Sequence, residues 1–447
     1  MIKHLTEEEV KMIREGVRLR RTPETLIEDK WSVSPLNRDR DVVGHYPRKV
    51  TLRDITLRTI EQTPGVWISE IQRRRLMERL VEVGIKSFQC AWLVFSDVDD
   101  LRKEIGFMKN LSSDVEVTVL ATGREFAAMA AAAGADVYVT YAPAIWEFNL
   151  IYGTYGRKIL RAHRANQDWR SSVAYPKSED EQLDSLADDV TYARSLGLKS
   201  AIHVSMLHYA TADYVRRLAQ RAVEVNADEI DLADGASAVS PEAWGYLVRQ
   251  VREVAPELRI GLHTHNGFGL AQASALSGIR EGATSIDVAV NHLCSGAGQV
   301  DLAEAAASLE VLYGVETGID LKKLTRLARF VEDISGVRMA QNKPITGSHA
   351  WDYTEEAMAE EESFAPVHKS VNPEIFGNKS RYVLGRYSGI SGVEEIVTRL
   401  AGAGISIPHE QVRRIFAILS DQMATVGRTF SDDEIMDEVR QLIDGGL

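Results

Sequence analysis

From residue 49 onward the chain alternates two patterns. Short runs rich in β-branched and aromatic residues are followed by longer runs whose apolar positions recur at helical spacing. Eight short runs read as strands: residues 49–57, 85–91, 115–121, 136–141, 199–206, 228–233, 258–265 and 284–291. Between them lie helical stretches such as REFAAMAAAAGA and ADYVRRLAQRAVEVNA. Such alternation makes the strands parallel and puts the helices outside them. Eight strands close the sheet into a (β/α)8 TIM barrel, with its working mouth at their C-terminal ends.

The barrel is expected over residues 49–315. An N-terminal helical extension, residues 1–48, precedes it, with a charged helix over 5–21. A linker and a helical C-terminal subdomain, residues 316–447, follow, the smaller domain itself starting near residue 340. After a helix at 320–335, its helices are expected in GVEEIVTRLAGAG, in HEQVRRIFAILSDQMATVG and in the acidic final stretch. Residues 146–176, between the fourth and fifth strands, are long and rich in aromatic and basic residues. They are either a substrate loop or an irregular surface insertion.

Composition narrows the partners. The chain has 447 residues, 45% hydrophobic and 26% charged, enough apolar material for a barrel plus an appendage. Its formal charge of -13 argues against nucleic acid and anionic membrane surfaces, which would repel it. The charged N-terminus lacks an apolar signal core, and no run approaches the roughly 20 apolar residues of a bilayer span. Cys90 and Cys294 have no disulfide or zinc-cluster spacing, so a reducing cytoplasm is expected.

Four features gather at the expected mouth. His263 and His265, two apart at the end of the seventh strand, project the same way and suit one shared cation or a catalytic pair, or else are surface or core histidines. Arg58, at the end of the first strand, is a fixed cation for a carboxylate or an enolate oxygen, or else a structural ion-pair partner. The segment 292–305 carries Gly296 and Gly298, which free backbone amides to curl around an anion; Asp301 with Glu304 reads equally as a helix start. Asp231 and Asp234, ending the sixth strand, orient a histidine or a ligand hydroxyl, or cap their loop.

Together these segments resemble the family that contains isopropylmalate synthase, homocitrate synthase and hydroxymethylglutaryl-CoA lyase. The family's opening D-T-T-L-R-D-G-E-Q-T-P-G reads here as residues 54–65, DITLRTIEQTPG. Its H-x-H-N-D-x-G-L-A appears as His263, His265, Asn266, Gly267, Gly269, Leu270 and Ala271. Residues 317–347 resemble its link after the barrel, and FGNKSRYVLGRYSG (376–389) its following subdomain. The resemblance spans about residues 48–445 and lacks a leucine-type regulatory module.

The resemblance implies a homodimer and a divalent metal held by the aspartate of R-D-G, both histidines and an asparagine after strand eight. That metal holds a 2-oxo acid, a small carboxylate substrate, whose carbonyl is attacked by an acyl-CoA enolate, or the reverse cleavage runs. The departures are pointed. The metal aspartate is Thr59, the asparagine is Gln299, a strand-two glutamate is Gln89, and the acyl-CoA loop G-x-G-E-R reads His292 to Gly296. A subdomain histidine falls near Met358. Asp54 is discounted as a substitute ligand because strand alternation sets it opposite Thr59. With so few hard oxygen donors, Zn²⁺ or Mn²⁺ suits His263, His265 and Gln299 better than Mg²⁺.

The expected catalytic set is therefore Arg58, Gln62 and His292. The substrate side is Thr59, Gln89, His203, Asp234, Gly296 and Gly298, with His203 a second acid/base candidate. The expected activity is formation or cleavage of a carbon–carbon bond next to a carbonyl. A lyase or transferase that has abandoned the metal, and a non-catalytic binding barrel, are the alternatives.

Overall fold

The computed structural model describes residues 5–355, 367–381, 383–388 and 409–445. It divides into two units, Leu36–Met339 and a second formed by Met1–Pro35 with Ala340–Leu447.

The larger unit is a closed parallel barrel. Its strands are β1 (Thr51–Asp54), β2 (Ser87–Trp92), β3 (Glu116–Leu120) and β4 (Val137–Pro143). They continue as β5 (Lys199–Ser205), β6 (Glu229–Asp234), β7 (Arg259–Thr264) and β8 (Ser285–Val288). Each pairs with its sequence neighbours, and β8 closes on β1 with Asp287 beside Arg53 and Val288 beside Asp54. Every expected strand is present. The first, seventh and eighth stop early: Thr56–Thr59 is a helical turn, His265 lies past β7, and Val290–His292 is a 3-10 turn.

The crossing helices open on short polar caps. Ser69 and Gln72 form a reciprocal box at Glu70–Glu82, Asp97 caps Val98–Leu111, and Ser240 with Pro241 starts Pro241–Val254. Residues 146–176 fold into Trp146–Leu150, Gly153–Arg164 and Trp169–Ser172, so the insertion is helical rather than irregular.

The expected partition at residue 315 shifts. Helix Leu324–Ser335 packs with the barrel unit, where Asp320 N donates to Val83 O (2.8 Å) and Asn291 Nδ2 to Ala328 O (2.8 Å). Conversely, residues near Ser32 pair with the C-terminal region, Ser32 N donating to Ser370 O at 2.8 Å. In that second unit His409–Val426 and Asp432–Asp444 share a core of Val412, Ile415, Leu419, Ile435 and Val439. The helix expected in GVEEIVTRLAGAG and the position Met358 lie outside the described residues. Among the described residues no helix is long and apolar enough to cross a membrane.

The barrel interior is two-sided. On the β3–β5 side Leu120, Val137, Val139, Tyr141 and Ala201 form an apolar cluster. On the other side Arg53 holds three acidic side chains: Asp287 at 2.6 Å, Asp231 at 2.9 Å and Glu229 at 3.1 Å. Gly261 makes room for them, since a Cβ there would overlap the Asp231 carboxylate. This ionic floor lies along β1, β6 and β8 and supports the mouth above it.

Candidate active site

The geometry of the mouth begins with a turn. Asp54, ending β1, accepts from Thr56 N (3.0 Å) and Thr56 Oγ1 (2.6 Å), and this Asx-type clasp bends Thr56–Thr59 into one helical turn. Burial pushes the Asp54 carboxyl up to about 7. Because Thr56–Thr59 is no longer a strand, face alternation does not govern where its side chains point. Arg58 reaches the cavity, whereas the buried Thr59 hydroxyl is shared between the carbonyl oxygens of Ile55 (3.0 Å) and Leu293 (2.8 Å). Thr59 therefore fastens the β8 loop to β1 and does not line the cavity, correcting its expected place on the substrate side.

That cavity encloses about 500 Å³. Of the expected residues it gathers Arg58, Gln62, His203, His263 and His265. Arg58 makes no side-chain hydrogen bond or ion pair among the described residues, and its Nε is buried without a partner. Burial lowers its pKa against the opposing charge of Asp287, yet a guanidinium stays protonated. Arg58 as a whole is only half-buried, and a guanidinium with no partner among the described residues at a barrel mouth can take an anion in its planar fork.

His263 is fixed from both sides. Its Nδ1 lies 2.7 Å from Asp287 Oδ2, whose other oxygen binds Arg53. A carboxylate there makes Nδ1 the protonated nitrogen, so Nε2 accepts, and Gln299 Nε2 donates to it at 3.0 Å. The His263 and His265 rings lie 5.4 Å apart, and His203 lies 5.5 Å from His263. Burial, then His263 and the positive charge of Arg58, push His265 down to about 3; burial lowers His263 as well. Both imidazoles are neutral at neutral pH.

Three expected residues take other roles. His292 does not line the cavity: its Nδ1 faces Gln299 O (2.7 Å) and its Nε2 faces Glu304 (3.2 Å), holding the β8 loop. Asp234 clasps its own loop, accepting from Val239 N (2.7 Å) and Ala236 N (3.1 Å). Gln89 is fully buried on β2 beneath the mouth, with neither amide atom hydrogen-bonded. Gly296 has open space around it. Gly298 has a φ of 83°, and a Cβ there would overlap the His292 carbonyl oxygen. Gly298→Ala is expected to cost about 1–3 kcal/mol by forcing a side chain into that left-handed, occupied position. Urea unfolding measures the loss.

Several groups at the site carry little signal in the sequence. His208, in the turn after β5, lines the cavity with its Nδ1 3.3 Å from Asp234 Oδ1. Trp92, Tyr141 and Tyr152 line it as well. Arg53, Asp287 and Glu229 sit at every-other positions of β1, β8 and β6, and charged residues on the inward face of a buried strand were the available signal.

The donor set does not fit a divalent cation. The residue in the metal aspartate's place is Thr59, engaged with Leu293. The His263 lone pair is occupied by the Gln299 amide, so the expected trio of His263, His265 and Gln299 does not present three free donors. Arg58 adds a repelling charge beside both imidazoles. Among the described residues no three histidine, cysteine or acidic side chains are grouped to hold an ion.

Comparison with known proteins converges on one group. A family model described as HMGL-like matches residues 49–331. A homocitrate synthase of Methanothermobacter thermautotrophicus is 26% identical over 388 residues, covering 86% of this chain and 92% of that protein. A putative (R)-citramalate synthase of Archaeoglobus fulgidus is 29% identical over 394 residues, covering 87% and 74%. In structure, the HMG-CoA lyase of Brucella melitensis superposes with a TM-score of 0.52 at 19% identity, covering 65% of this chain and all of that one; it shares the barrel fold.

Proposed function

The chain belongs to the HMGL-like family, enzymes that form or cleave carbon–carbon bonds, and from that premise we propose that it condenses an acyl-CoA with a 2-oxo acid. The family generally uses a divalent metal and acyl-CoA. The observation that carries the reading is the unpartnered guanidinium of Arg58 in a mouth shared with His263, His265 and His203.

The proposed roles follow from charge and placement. Arg58 takes the carboxylate and the developing alkoxide of the 2-oxo acid in its planar fork. His208 removes a proton from the acyl α-carbon, and Asp234 behind it steadies the imidazolium. The enolate carbon then bonds to the keto carbon as the C=O π bond opens, and the alkoxide takes the proton held by the His208 imidazolium, returning that ring to its neutral form. His263, locked by Asp287 and Gln299, and the neutral His265 shape the polar wall. Water attack on the thioester afterwards releases free CoA. Polarisation of the ketone is assigned to Arg58 because the donor set does not suit an ion.

Free-thiol release from acetyl-CoA, measured with a panel of 2-oxo acids in EDTA and again with Mn²⁺ or Zn²⁺, tests this. Release should depend on the 2-oxo acid and proceed unchanged in EDTA. If no 2-oxo acid stimulates release, the condensation reading fails. If EDTA abolishes it and an added ion restores it, Arg58 is not the polarising group.

A further inference from the structure

The cavity joins polar groups to a wall of rings, with His208 beside Tyr209 at 4.3 Å and His203 edge-on to Tyr141 at 6.5 Å where the two meet. The polar groups are Arg58, Gln62 and the histidines. The wall is Trp92, Leu120, Tyr141, Phe148, Tyr152 and Tyr209, continuous with the apolar cluster on the β3–β5 side of the barrel. We propose that the 2-oxo acid taken here carries one carboxylate and a large aromatic side chain, which docks against this wall. This rests on the condensation reading and names its substrate class.

Three observations argue for it. First, the wall is built of rings set edge to face. Tyr141 meets Trp92 at 6.0 Å and Tyr152 at 6.3 Å, and Phe148 meets Tyr209 at 5.3 Å. Ring edges and faces of this kind favour another ring over an aliphatic chain. Second, two polar atoms of the wall engage each other. Trp92 Nε1 donates to Tyr141 Oη at 3.1 Å, and burial pushes that phenol up to about 12, so it stays neutral.

Third, among the described residues lining the cavity Arg58 is the one arginine or lysine. A second carboxylate on the substrate would face ring π-clouds, with no arginine or lysine among the described residues lining that wall. Arg157 stacks on the Trp92 ring at 4.0 Å and on Phe95 at 4.4 Å, but it does not line the cavity. The volume, about 500 Å³, leaves room for an aryl group and the reacting end of the acyl thioester together.

Calorimetric titration of the purified protein with phenylpyruvate, 4-methyl-2-oxopentanoate, pyruvate and 2-oxoglutarate decides it. Phenylpyruvate should bind about tenfold or more tighter than pyruvate, since even one methylene in an apolar pocket discriminates by that order. The branched aliphatic acid should fall between them, and 2-oxoglutarate should be weakest. Phe148→Ala, on a partly exposed turn, should shrink the ratio between phenylpyruvate and pyruvate, with circular dichroism confirming its fold. Pyruvate binding as tightly as phenylpyruvate, or a ratio unmoved in Phe148→Ala, overturns the aromatic assignment and leaves the condensation reading standing. Tightest binding of 2-oxoglutarate also overturns it, handing the distal carboxylate to Arg157. Binding by none of the four sinks both.

Discussion

Replacing Arg58 by alanine should lower kcat/KM for the 2-oxo acid by about 10²–10³-fold, the loss of about 2.7–4 kcal/mol seen when a preorganised anion donor is removed. The same substitution should not destabilise the fold. Arg58 forms no ion pair that its removal would break, and its burial already lowers the pKa of its charged form. Deleting it relieves desolvation, so Tm should hold or rise while activity collapses. That divergence separates a ligand-binding arginine from a structural one, whose loss would lower both together. Arg58→Lys keeps a charge but gives up the planar two-point fork, and should recover only a small part of the rate. An Arg58→Ala protein that melts markedly earlier, or one that retains activity, contradicts the role given to this residue.

How far such a site shows in a sequence depends on the interaction that builds each part. The barrel was legible because eight β-branched runs and their helices are local periodic patterns, and every one became a strand. Arg58, His263 and His265 were legible because strand ends converge on one mouth, and Gln62 only through the family resemblance of residues 54–65. The ends themselves were not. Strand β1 stops at Asp54 because its side chain caps Thr56, a two-residue hydrogen bond that hydrophobic spacing does not register. That single clasp makes Thr59 a fastener, and it removes the strand alternation on which Asp54 was set aside. His292 misled for a related reason. Its ring is taken by Gln299 and Glu304 in a loop that depends on the positive φ of Gly298, and loop closure of that kind is invisible to periodicity. His208 carries no local mark, because it sits in a turn and its carboxylate partner, Asp234, ends a strand far along the chain.

Arg53 is where stability and site meet, and Arg53→Met should destabilise the fold by about 3–5 kcal/mol, the usual cost of breaking a buried ion pair from one side. Its guanidinium faces Asp287, Asp231 and Glu229, holding Asp287 and Asp231 below the ordinary carboxylate range. Glu229, buried beside Asp231, is instead pushed up to about 8. The signs then fix a pH dependence. For Asp231 and Asp287 the folded pKa is depressed, so Arg53 contributes stability above their unfolded value and loses it only at lower pH. Glu229 is raised, so its carboxyl keeps its proton in the fold between 4.5 and about 8 and becomes a third buried charge above that range. The deficit of Arg53→Met should therefore be greatest near the upper end of that window, where Asp231 and Asp287 stay charged without Arg53 and Arg259, 3.0 Å from Glu229, is the neighbouring cation left. It should shrink toward the lower end as Asp231 and Asp287, no longer paired, take up protons. Urea unfolding of both proteins across the window measures it. The same loss frees Asp287 from Arg53 and so loosens the carboxylate that sets the His263 tautomer. A variant within about 1 kcal/mol of the parent, the value of a surface pair, would mean that the ionic floor does not hold the mouth in place.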